Sequence, residues 1–66
     1  MTITVNGVPR PLDARTTVAD VVRLLGADPG GCAVAVNEEV VPRSDWPGRM
    51  LESGDRVEVL TAAQGG

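Results

Sequence analysis

Two residues without side chains, Gly65 and Gly66, close the sequence, and they offer the chemistry this chain is best equipped for. With Gly66 last, its α-carboxylate is expected to be free. A glycine pair has no Cβ, so the segment is expected to be thin and flexible. Such a segment threads a channel too narrow for any side chain and presents an unhindered carboxylate for adenylation. Ala62-Ala63-Gln64 just before it is small and uncharged as well. The competing reading is a frayed terminus or an expression scar, because chain ends are often small and polar. The glycines alone do not separate these readings, and the rest of the chain has to.

Most other chemistry is excluded by composition. The 66 residues contain no His, Lys, Tyr or Phe and one Cys. A Ser-His-Asp or Cys-His arrangement is therefore impossible within the chain, and so is a zinc site built from Cys and His clusters. A chain of this length makes one domain, with a modest core and little room for a cleft. The expectation is a protein that is not itself an enzyme and that enters chemistry as a substrate or carrier. Nine acidic residues against six arginines give a net charge of −3, which argues against nucleic acid or an anionic membrane as a partner. A lone Cys makes no internal disulfide. No signal peptide or long apolar run is evident, so the expected location is the cytoplasm.

The elements that would position the tail follow from periodicity. Thr2 to Asn6 alternates, with Ile3 and Val5 on one face, as in a half-buried strand. Asn6-Gly7 is a strong hairpin-turn signal, so a second strand is expected over Val8 to Leu12. Pro9 and Pro11 stand two apart there, and both missing donors fall on one side, which places this strand at a sheet edge. Thr16 to Leu25 reads as a helix with Val18, Val21, Val22 and Leu25 on one face. Thr17 and Asp20 have the spacing of a capping pair, with Thr16 as a competing cap, and Gly26 supplies a left-handed stop. Asp28-Pro29-Gly30-Gly31 is expected to be loop. Cys32 to Asn37 is a strand whose Val34 and Val36 alternate with Ala33 and Ala35, so that both faces are expected to be at least partly covered. Asn37-Glu38-Glu39 turns into a short strand at Val40-Val41, which Pro42 ends. Ser44 to Leu51 reads as an irregular crossover carrying Trp46, and Glu52-Ser53-Gly54-Asp55 as a tight turn. Arg56 to Thr61 is the last strand, with Val57 and Val59 facing one way and Glu58 and Leu60 the other. A central place in the sheet would anchor the tail firmly. The order β-β-α-β-β-β gives an α+β layer with the helix packed on one face.

These features together resemble the ThiS family, the sulfur carriers of thiamine biosynthesis. The residues that carry the resemblance are the strand ending at Asn6-Gly7, the helix start Thr17-Val18, Val36-Asn37, and Val41-Pro42-Arg43 with Trp46 shortly after. Ser53-Gly54-Asp55-Arg56-Val57 and the final Gly65-Gly66 complete the set. Each piece is weak alone, and the combination is specific and spans essentially the whole chain. The resemblance implies a β-grasp, ubiquitin-like fold: a mixed sheet of four to five strands with one helix. It implies a domain over 1–61 and a flexible tail over 62–66.

The chemistry implied by that resemblance runs through Gly66. A ThiF-type adenylating enzyme binds ATP and Mg²⁺ and joins the Gly66 carboxylate to the α-phosphorus. Sulfur from a cysteine-derived persulfide, or another donor, then replaces AMP and leaves a thiocarboxylate. A ThiG-type thiazole synthase receives the sulfur. The carrier itself is expected to bind no cofactor and no metal. Three other functions remain open at this point: a carrier for molybdopterin or another sulfur-containing metabolite, a ubiquitin-like protein modifier, and a non-covalent module in which the glycines are incidental.

Docking has to offset the cost of ordering the tail in a partner's channel, which predicts an apolar patch on the outer sheet face. Leu60 and Ala62 are the candidates, with Gln64 and Gly65 threading the channel. Cys32 reads as a small, largely buried strand residue rather than a relay thiol. Trp46 reads as a lid on one end of the core rather than a partner anchor. Glu38 and Glu39 read as solvated turn charges, and Asp55 as a cap on the turn before the last strand. Arg43 either ties down the crossover or meets a partner.

Overall fold

In the computed structural model, residues 1–61 are described; the expectations placed on Ala62, Gln64, Gly65 and Gly66 and on the tail 62–66 lie outside the described residues. Strands β1 (Thr2–Val5) and β2 (Val8–Pro11) pair antiparallel, with Val5 opposite Val8. Only Asn6 and Gly7 join them, at φ 51° and 82°. This two-residue turn with both φ positive matches the twist of the strands it connects. Met1 and Leu12 exchange both backbone bonds, at 2.9 and 2.7 Å. Hydrogen-bonded pairs recur at every second position of an antiparallel ladder. Pro9 and Pro11 therefore occupy the positions whose nitrogens point away from β1, where a missing N–H costs no ladder bond. As expected, β2 is a sheet edge.

Helix α1 spans Val18–Leu24, two residues later than the periodicity of Thr16 to Leu25 suggested. The reason is the cap. Thr17 is extended at φ −105° and ψ 169°; its hydroxyl accepts from the Asp20 N–H at 3.2 Å, and the Asp20 carboxylate accepts from the Thr17 N–H at 3.0 Å. This capping box satisfies donors the first helical turn leaves free. Thr16, the competing cap, instead bonds back to the Asp13 carbonyl and accepts from Leu51. At the other end Gly26 turns left-handed at φ 70°, and Ala27 donates to the Val22 carbonyl at 3.2 Å, closing a Schellman motif. Val18, Val21 and Val22 are buried, and Leu25 is half-buried against them.

The segment expected to be plain loop forms one 3₁₀ turn over Pro29–Gly31, with the Asp28 carboxylate accepting from Gly30 at 3.0 Å. β3 (Cys32–Val36) and β4 (Glu39–Val41) then make a second two-residue hairpin. Its turn residues Asn37 and Glu38 both have positive φ, 51° and 73°. The crossover is more regular than anticipated: Arg43–Gly48 is 3₁₀, and Thr17 and Met50 form a β-bridge that ties the start of α1 to it. β5 (Arg56–Thr61) lies in the middle of a five-stranded mixed sheet of order β2-β1-β5-β3-β4, parallel to β1 and antiparallel to β3.

The core between sheet and helix is aliphatic. Ile3, Val5, Val34, Val36, Val57 and Val59 from the sheet meet the three buried valines of α1. Trp46 seals one end, buried, with its indole N–H donating to the Val41 carbonyl at 2.9 Å. β3 departs from expectation on its other face. Ala33 is exposed and Ala35 only half-buried, because the single helix covers one side of the sheet and nothing among the described residues covers the other. No helix among the described residues is long and apolar enough to cross a membrane.

The capping box gives the first prediction. Thr17→Ala lowers the unfolding free energy by about 1 kcal/mol, as read by urea denaturation at neutral pH. The Asp20 carboxyl is held below the usual carboxylate range by the Thr17 N–H, then by the Thr17 hydroxyl, with Arg23 adding. A lowered folded-state pKa means a contribution that is present above the ordinary carboxylate range and lost as pH falls through the folded value. The stability gap between wild type and Asp20→Asn is therefore constant near neutrality and narrows below about pH 4.

Candidate functional site

β5 carries two different faces to the end of the described chain. Val57 and Val59 are buried, whereas Glu58 and Leu60 point away from the helix. Leu60 is 69% exposed, as its parity predicted. The sheet places further apolar groups beside it. Leu60 is directly opposite Ala33, and Ala35 is directly opposite Val40 on the next strand, where Val40 is 75% exposed. Leu60, Ala33, Ala35 and Val40 thus share one outer face across β5, β3 and β4. Val40 was not singled out from the sequence. Its strand is three residues long, too short for alternation to fix a face, and its neighbourhood with Leu60 depends on strand order.

The point where β5 ends is equally informative. Thr61 is opposite Cys32, and around them Leu60, Ala33, Gly30 and Gly31 line a shallow recess of about 330 Å³. Two residues without side chains therefore flank the end of β5. Cys32 is half-buried, more open than the largely buried place expected for it, because it lies at the first position of β3, where the core thins. A second groove, of about 430 Å³, opens on the helix side over Val22 and Trp46. It contains no residue of β5.

Two asparagines, read in the sequence only as turn formers, hold β5 in place. The Asn6 N–H donates to the Val57 carbonyl at 2.9 Å. Its side-chain oxygen then accepts from the Val59 N–H at 2.9 Å, and its side-chain nitrogen donates to the Val59 carbonyl at 3.2 Å. Asn37 acts on the other side. Its N–H donates to the Arg56 carbonyl at 2.8 Å, its side-chain oxygen accepts from the Arg56 N–H at 2.9 Å, and its side-chain nitrogen donates to Asp55 at 3.0 Å. The available signal was the repetition of Val-Asn at the start of both hairpin turns, Val5-Asn6 and Val36-Asn37.

Asp55 fills the capping role expected of it and more. It is buried; one carboxylate oxygen takes the Asn37 amide and the other the Glu52 N–H at 2.8 Å. Arg43 donates to the Pro29 carbonyl at 3.0 Å, so it ties the crossover to the 3₁₀ turn beside the end of β5. Glu38 is exposed and reaches Arg56 at 3.8 Å, a contact worth little in water.

The model of the ThiS family matches residues 3–66. A sulfur carrier protein ThiS from Thermus thermophilus is 43% identical over 61 residues, which is 92% of this chain and 94% of that protein. A thiazole synthase from Paramagnetospirillum magneticum is 33% identical over all 66 residues, a stretch that makes up 20% of the synthase. The crystal structure of a thiamine biosynthesis protein (ThiS) from Geobacter metallireducens superposes with a TM-score of 0.82 at 32% identity and full coverage of both chains.

The exposure of Leu60 fixes the outcome of one substitution. Leu60→Glu leaves the unfolding free energy within about 0.5 kcal/mol of wild type. Val59→Glu, one residue away but facing the core, abolishes folding because it buries an unpaired charge. Urea titrations followed by Trp46 fluorescence separate the two.

Proposed function

The chain belongs to the ThiS family and is a sulfur carrier of thiamine biosynthesis rather than a catalyst, and on that premise we propose that Gly66 is the residue that carries the sulfur. The single observation behind this reading is β5, which lies in the centre of the sheet and is separated from Gly65-Gly66 in the sequence only by Ala62-Ala63-Gln64. An adenylating enzyme of the ThiF type binds ATP and Mg²⁺. The Gly66 carboxylate oxygen attacks the α-phosphorus of ATP, expelling pyrophosphate. The acyl adenylate has AMP as its leaving group, so a persulfide sulfur derived from cysteine displaces it at the carbonyl carbon. The product is an acyl disulfide; a second thiol of the partner attacks its cysteine-side sulfur, forms a disulfide there and releases the thiocarboxylate. Gly65 and Gln64 pass through the channel of the enzyme, where a side chain at 65 would clash. The proposed location is the cytoplasm, where ATP is available.

Leu60 and Ala62 belong to the docking surface, which Ala33, Ala35 and Val40 extend. An apolar face beside the exit of the tail lets one partner hold the domain and receive its end together. A thiazole synthase is the proposed acceptor. The likeness of this chain to part of a protein named thiazole synthase supports it, since a carrier and its acceptor gain effective concentration when joined in one chain.

Mass spectrometry of the intact protein, incubated with ATP, Mg²⁺, a sulfur source and a ThiF-type enzyme, shows one terminal oxygen exchanged for sulfur at Gly66. Gly65→Val, or one residue appended after Gly66, abolishes the exchange while the fold persists; normal loading of either variant would end the carrier reading. Leu60→Glu raises the KM for adenylation by roughly tenfold, equivalent to about 1.4 kcal/mol of docking. Cys32→Ala loads normally, because the sulfur comes from the partner.

A further inference from the structure

We propose that Asn6 is a positioning residue for delivery of Gly66: its side chain completes the ladder on Val59 and thereby sets the direction in which the chain leaves the sheet. The proposal rests on the carrier reading above. Regular pairing between β1 and β5 ends at Val5 and Val57. Beyond it, β1 turns away through Asn6 at φ 51°, while β5 continues to Thr61. In a parallel ladder whose residue 6 donates to the Val57 carbonyl, the carbonyl of residue 6 would accept from the Val59 N–H. The turn rotates that carbonyl away. The Asn6 side-chain oxygen takes its place at 2.9 Å, and the side-chain nitrogen supplies the donor for the Val59 carbonyl at 3.2 Å. A carboxamide has the same donor and acceptor as a peptide group, so β5 experiences one more step of β1 than the backbone provides.

This step lies close to the tail. Val59 is two residues before Thr61, where the described chain ends, and its hydrogen-bonding groups point to the β1 side. On the β3 side the strand is held separately, through the pairing of Ala33 with Leu60. Among the described residues Asn6 is therefore the last tie on the β1 side of the departing strand. At the far end of β5 the Asn37 side-chain oxygen likewise replaces a backbone acceptor, for the Arg56 N–H, while its side-chain nitrogen donates to Asp55. The molecule thus contains its own control: two asparagine side chains that complete one strand, one near Thr61 and one remote from it.

Asn6→Gly and Asn37→Gly each delete a carboxamide while keeping a residue that accepts positive φ without steric cost. With the full chain, ATP, Mg²⁺ and a ThiF-type enzyme, the expected result for Asn6→Gly is a fall in kcat of about tenfold with KM within about twofold, because docking survives and placement of the reacting carboxylate does not. Amide hydrogen exchange should accelerate at Val59 and stay slow at Val57. Asn37→Gly should shift the urea midpoint comparably and keep the wild-type kcat. Equal kcat values for the two variants, or an effect of Asn6→Gly confined to KM, would overturn the proposal. Should Asn6→Gly fail to fold, Asn6→Asp retains the acceptor for Val59 and loses the donor; a kcat at the wild-type value would then count against the assignment, and a reduced kcat at unchanged KM would support it. If the wild-type chain itself takes up no sulfur, the carrier reading falls and the proposal with it.

Discussion

The fold depends on placing the last strand in the middle of the sheet. β5 has a neighbour on each side, parallel β1 and antiparallel β3, so its backbone groups must all find partners within the protein. Neither hairpin is long enough to provide them. β1 turns at Asn6 and β3 turns at Asn37, each before the needs of β5 are met, and in each case the turning residue makes up the shortfall with its side chain. Asp55 locks the entry to the strand by accepting from Asn37 and Glu52 while its own carbonyl accepts from Thr4. The segment that leads to the tail is consequently held from both sides.

That arrangement divides β5 between two tasks. The inward valines fasten the strand, each buried Val side chain contributing about 1.5–3 kcal/mol. The outward residues are free to meet a partner. Holding a five-residue segment in a narrow channel opposes binding by roughly 5–10 kcal/mol at 1–2 kcal/mol per residue. Covering the apolar residues of the outer sheet face offsets part of that. The two terms oppose one another, so a carrier built this way holds its partner weakly enough to be released after each transfer. The proposed shuttling between two enzymes requires such weak retention.

Much of this was legible in the sequence because several signals agreed locally. The parity of Pro9 and Pro11 fixed an edge, the Thr17-Asp20 spacing fixed a cap, and the alternation of Val57, Glu58, Val59 and Leu60 fixed which side of the last strand faces out. The remainder depended on strand order, which alternation does not encode. Ala33 and Ala35 suit a covered or an open face equally well, and only the single helix decides in favour of open. Val40 becomes a neighbour of the Leu60 face only because β3 lies between their strands. The proposal that Gly66 bears the sulfur rests on the residues Gly65-Gly66 themselves, through what their lack of side chains permits.

The asparagines show why a residue can be read correctly and still be understood in part. Asn6-Gly7 predicts a hairpin, and a hairpin forms, so turn chemistry alone would explain the residue. Yet Asp-Gly or Gly-Gly would make the same turn. An ionised Asp has no donor for the Val59 carbonyl, and Gly offers neither donor nor acceptor. The turn therefore explains why position 6 accepts a positive φ, but not why it carries a carboxamide. The same holds at Asn37, where the next residue is Glu38 rather than Gly and the turn signal is correspondingly weaker. What the two positions share is the strand they face. A short hairpin beside a longer strand leaves one peptide step unfilled, and Asn at the first turn position fills it while forming the turn.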